Sequence, residues 1–138
     1  MGKQFDSTAL YDAMKERNGT WAAAFDTVKL SVINRDYGRA AGDLVIAECV
    51  RRNDEAREEG MVFVRIGGDE FILLTGEQDA AVPQRIADQV TAHNDEAIDY
   101  NGTQVPVAMR AALMRLDTRV PNKEMLDELI DKVRWPER

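Results

Sequence analysis

The chain has 138 residues, of which 44% are hydrophobic and 31% charged, and a formal net charge of −7. That suffices for one core in one domain spanning 1–138, and it excludes disordered and low-complexity classes. The acidic balance gives no basic footprint for nucleic acid, and no stretch has the apolar length to cross a bilayer or, from Met1 to Leu10, to form a secretory signal.

Ser7 to Arg17 reads as a short helix, capped by Asp6 or Ser7 and ended by Asn18-Gly19. Trp21 to Leu30 is a strand candidate interrupted by one charge, Asp26. Asn34 to Gly42 is polar, holds two glycines and reads as a loop. A long helix is expected from about Gly42 to Glu59, with Ala41, Val45 and Cys49 on one apolar stripe. Its charged half, Arg51 to Glu59, reads as solvated, with Gly60 as the stop. The lone Cys49 reads as core; it can build neither a disulfide framework nor a multi-cysteine zinc site, so a reducing cytoplasm is expected.

Met61 to Ile66 and Phe71 to Thr75 are apolar runs separated by Gly67-Gly68-Asp69-Glu70, the pattern of a hairpin. Ala80 to Asn94 is helical, with Val82, Ile86 and Val90 at fourfold spacing and the single His93 at its boundary. Tyr100 to Thr103 is a turn, and Val105 to Leu116 holds one or two strands. Pro121 to Val133 is the last helix; Trp21 and Trp135 read as packing residues. This order predicts an α+β fold: a central mixed sheet with a β-hairpin, flanked by helices, in the split βαβ or ferredoxin-like class.

The string Arg65-Ile66-Gly67-Gly68-Asp69-Glu70-Phe71 carries the most chemistry. Two glycines allow a sharp turn and close approach of a ligand. Two adjacent carboxylates then stand at the hairpin tip, the oxygen ligands that magnesium takes alongside phosphate. A plain turn also favours Gly and Asp, but it does not require the whole string.

This string resembles the signature of the GGDEF family, the diguanylate cyclases and their relatives, which stands unaltered at Gly67 to Phe71. Arg65 matches the basic residue that members place before it. An upstream block, Asp26 to Asp43, aligns without a gap on the family's Asp-x-Asp-x-Phe-Lys-x-Ile-Asn-Asp-x-x-Gly-His-x-x-Gly-Asp. A final block, Leu126 to Arg138, keeps two cations at fourfold spacing, Arg134 and Arg138.

The resemblance implies a fold akin to nucleotidyl cyclases and the polymerase palm, and it assigns roles by position. Asp26 and Asp69, with the Thr27 carbonyl, would hold Mg²⁺ or Mn²⁺, and Glu70 would support that site. Asn34 and Asp43 would read the guanine edge. The backbone at Lys29 and Leu30, with Arg134 and Arg138, would hold the triphosphate. The implied activity is condensation of two GTP into cyclic di-GMP in a homodimer, under a regulatory or sensor partner. A buried Asp in an apolar strand costs several kcal/mol unless something compensates it, and a shared metal is one such compensation.

The departures are specific. Val28 replaces the second Asp of the upstream block, Leu30-Ser31 the Phe-Lys pair, and Arg39 the His. Arg110 stands where the late Ser-Ile-Gly strand has glycine, and Glu58 to Met61 replaces an Arg-x-x-Asp product-feedback site. Two readings therefore stand open: an active cyclase, or a degenerate domain that binds GTP, cyclic di-GMP or another protein. A different nucleotidyl cyclase or hydrolase on the same carboxylates is a third.

Overall fold

The computed structural model describes residues 6–117 and 119–134. Its central strand is β1 (Trp21–Thr27), in which Ala22 to Thr27 are all buried. A strand covered on both faces can be apolar throughout, and the run Ala22-Ala23-Ala24-Phe25 is. It pairs on one side with β3 (Glu70–Glu77) and on the other with β6 (Met109–Arg115). Strand β2 (Val62–Arg65) lies outside β3, giving the order β2-β3-β1-β6.

The expected α+β class is present, with the strand order of a ferredoxin-like sheet. All three ladders of this sheet are antiparallel, so the sheet is not mixed. Side-chain alternation splits the interior in two. Ala23, Phe25, Phe71 and Leu73 pack with Val45, Cys49, Ile86 and Val90 from α3 (Arg39–Ala56) and α4 (Ala81–Thr91). Ala22, Ala24, Ile72 and Leu74 face the other way, onto Leu10 and Met14 of α1 (Ser7–Glu16) and Leu126, Leu129 and Val133 of α5 (Asn122–Arg134).

Several sequence expectations change. Strand β1 ends at Thr27, and the supposed loop Asn34 to Gly42 is helical on both sides of Gly38, closing α2 (Leu30–Tyr37) and opening α3. Gly38, at φ 97°, separates the two, so α3 begins at Arg39 and ends at Ala56, short of Gly60. The charged half of α3 is not simply solvated: Arg52 and Asn53 are 2% and 0% exposed. Arg52 donates to Glu48 at 2.8 Å and to the carbonyls of Val107 and Glu96 at 2.8 and 3.1 Å. Finally, β4 (Ala97–Tyr100) is an unexpected strand that pairs with β5 (Thr103–Pro106) around the expected turn; the stretch from Val105 falls on two strands, β5 and β6, as one of the two expected readings had it. Cys49 is core as expected, and burial pushes its thiol up to about 11.

Candidate metal and nucleotide site

The hairpin at Gly67 to Asp69 is closed by Ile66 N–H donating to the Glu70 carbonyl at 2.9 Å. Arg65 wraps around it, donating to the carbonyls of Gly67 at 3.0 Å and Gly68 at 2.6 Å. Neither glycine has positive φ, so conformation alone does not demand them. Gly67 is tight for another reason: a Cβ there would stand 3.3 Å from Glu70 Oε1. Arg65 thus organises the tip.

The β1–β3 register places Asp26 opposite Glu70. The Thr27 N–H donates to the Asp69 carbonyl at 2.7 Å, locking the end of β1 to the tip. As a result one carboxylate oxygen each from Asp26, Asp69 and Glu70 lies within 4.8 Å of the others. Asp26 and Glu70 are buried and Asp69 is partly so. Burial raises the Asp26 carboxyl above its ordinary value; a hydrogen bond from Arg110 opposes this, and the charge of Asp69 adds to it. An all-oxygen set of three clustered carboxylates fits a hard divalent cation, with Asp26 the residue that gains most from one.

Two arginines already touch the cluster. Arg134, in the last turn of α5, donates to Glu70 Oε2 at 2.6 Å, which raises the guanidinium further above its ordinary value. Arg110, on β6, lies directly across from Asp26 in the β1–β6 register and pairs with Asp26 Oδ2. Arg110 also donates to the Arg134 carbonyl at 3.3 Å. The sequence marks Arg110 only as a departure; the register of β1 on β6 shows what it meets.

The remaining expected positions lie on α2, at its N-cap and on α3. Lys29, at φ 60°, caps α2 without a side-chain bond, so the first-turn amides of α2, beginning at Leu30, lie just beyond the end of β1. Asn34 sits on α2 against α3: a Cβ on Gly42 would meet its Oδ1 at 1.7 Å. That Oδ1 is buried with no hydrogen-bond partner; Asp43, the residue after Gly42, is exposed. The pairing explains the glycine at 42, which sequence alone leaves as helix-compatible but unexplained. Arg138 and Trp135 lie outside the described residues.

A family model described as "Diguanylate cyclase, GGDEF domain" matches residues 3–132. The chain belongs to the GGDEF family. Among its relatives, the diguanylate cyclase TpbB of Pseudomonas aeruginosa is 36% identical over 87 residues, which are 62% of this chain and 20% of TpbB. Diguanylate cyclase A of Treponema denticola is 26% identical over 101 residues, 72% of this chain and 27% of that protein. The solved structure of an N-terminally truncated TpbB (YfiN) comprising only the GGDEF domain superposes with a TM-score of 0.71 at 27% identity, covering 96% of this chain and 80% of that one. The chain therefore spans about a quarter or less of the length of these full relatives. No helix among the described residues of this GGDEF chain is long and apolar enough to cross a membrane.

Proposed function

We propose that the chain, as one GGDEF domain, is a metal-dependent diguanylate cyclase working in the cytoplasm. Two GTP condense to cyclic di-GMP and two pyrophosphates, each domain of a homodimer holding one GTP. The observation that carries this reading is the convergence of the Asp26, Asp69 and Glu70 carboxylates within 4.8 Å, at strand ends adjoining the start of α2.

Asp26, Asp69 and the Thr27 carbonyl hold Mg²⁺ or Mn²⁺, and Glu70, fixed by Arg134, keeps the charge of that set in place. The ion, when bound, neutralises phosphate charge and assists attack of a ribose hydroxyl on the α-phosphate. The α2 amides at Lys29 and Leu30 orient phosphate oxygens, helped by Arg134 and Arg138. Asn34 and Asp43 select guanine: an amide oxygen and a carboxylate accept from its N–H groups, and the Asn34 amide nitrogen can donate to a ring acceptor. The buried, unpartnered Asn34 Oδ1 supports that role, because a base would supply the missing donor.

The test is chromatography of nucleotides after incubating concentrated protein with GTP and Mg²⁺, then Mn²⁺. Product should rise more steeply than linearly with protein concentration, and Asp69→Asn should remove it while leaving the fold intact. The second reading, a GTP- or cyclic di-GMP-binding regulatory module that acts through a protein partner, draws on the Arg110–Asp26 pair and on Val28. It predicts nucleotide binding with no product.

A further inference from the structure

Arg110 stands apart from the other cations around the site. Its strand partner is Asp26, the most deeply placed carboxylate of the cluster at 3% exposure. Its guanidinium is held from two sides, by Asp26 Oδ2 and by the Arg134 carbonyl at the C-terminal, negative end of α5. Arg134, by contrast, gives its carboxylate hydrogen bond to Glu70 and acts on Asp26 only through its charge. The cluster therefore has a protein cation on the very carboxylate that the proposed metal site needs. The Arg110 side chain is itself about half exposed, at 45%, so it has a free path to solvent.

We infer that Arg110 is a tethered cation that competes with the divalent ion for Asp26, so that metal binds against the hold of the arginine. The inference rests on the metal-site reading of Asp26 and Asp69. The guanidinium takes a lone pair of Oδ2 from the metal and, by drawing charge from the whole carboxylate, makes Oδ1 a poorer ligand. Two positive charges on one buried carboxylate also repel each other. With glycine at this position the competitor would be absent, and this chain is set to require more metal than such a site would. The arginine also keeps Asp26 compensated while no metal is bound, which a glycine could not do.

Displacing a charge-assisted hydrogen bond corresponds to about a ten- to hundredfold handicap on metal affinity. The experiment is titration of the full chain with Mn²⁺ alone, reading free Mn²⁺ by electron paramagnetic resonance, without nucleotide. Wild type, Arg110→Ala, Arg110→Gln and Asp26→Asn are compared, with circular dichroism checking that each is folded. Arg110→Gln keeps the first part of the stem and an amide donor while removing the charge, so it serves if the alanine variant unfolds. The inference expects at least tenfold tighter Mn²⁺ binding in either Arg110 variant, and loss of that gain when Asp26→Asn is added. Equal affinity in wild type and both Arg110 variants, with Asp26→Asn still abolishing binding, would overturn the competition and leave the metal site standing. Binding indifferent to Asp26→Asn, or absent throughout, would overturn the metal site and the competition together.

Discussion

Gly42 offers a prediction whose sign depends on a second residue. In Gly42→Ala the new Cβ would stand 1.7 Å from Asn34 Oδ1 and 2.9 Å from Asn34 Cγ. Ordinary contact begins at 3.4 Å, so the Asn34 amide must retreat by about 1.7 Å, or α2 and α3 must part. Such overpacking costs about 1–3 kcal/mol. Gly42 is inside α3 and has no positive φ, so alanine also gains about 1 kcal/mol of helix propensity. The net expectation is a loss of about 0–2 kcal/mol in urea unfolding. In an Asn34→Ala background the obstruction is gone, and Gly42→Ala becomes stabilising by up to about 1 kcal/mol. The same displacement moves the group proposed to read guanine, so GTP affinity by calorimetry falls about three- to tenfold in Gly42→Ala, the worth of one or so neutral hydrogen bonds. If Gly42→Ala destabilises both backgrounds equally, the Asn34 contact is not what keeps glycine here. If GTP affinity is unchanged while stability falls, Asn34 does not contact the base.

Arg52→Ala should cost about 3–4 kcal/mol in denaturant unfolding, because it removes a buried charged clamp and its stem together. Arg52→Met, which refills the volume, should cost only about 1–2 kcal/mol: the two carbonyls it abandons keep backbone donors, Asp95 N–H on Val107 at 3.0 Å and Val107 N–H on Glu96 at 3.1 Å. Glu48, held by Arg51 and then Arg52, has its carboxyl lowered from an ordinary 4.5 to about 2. Its folded value lies below its unfolded one, so its contribution is complete above about pH 4.5 and disappears as pH falls towards 2. Allowing for screening at half-exposed Arg51, Glu48→Gln should remove about 1–2 kcal/mol at pH 7 and little at pH 2, read from unfolding midpoints across pH.

How far the sequence could be read depended on the range of the interactions involved. The hairpin tip, Gly67 to Glu70, was visible because turn residues between two apolar runs carry their own local signal. The apolar stripe of α3 was visible for the same reason. Helix α2 was hidden: with Asn34, Arg35 and Asp36 in eight residues, only packing against α3 makes it helical. Strand β4 has four residues and none fully buried, too short for any period to show. Arg52 lay in a charge run, and nothing local tells a buried guanidinium from its exposed neighbour Arg51; the deciding partners, Glu96 and Val107, lie more than 40 positions away. Asp26 stood out as a charge in an apolar strand, but its pairing with Arg110 depends on a register spanning 84 positions.

The placement of β1 in the middle of the sheet bears on how the chain is made. Its pairing edges wait for residues 70–77 and then 109–115. At ordinary synthesis rates the last neighbour follows β1 by about 90 residues, on the order of 5–20 s. Through that interval Ala22 to Phe25 is an apolar strand with an open edge, the kind of segment that other chains can extend. Asp26, at its end, is then solvated rather than buried, and its charge is a natural guard against such pairing. A carboxylate proposed to hold metal in the finished fold would thus protect the nascent strand first.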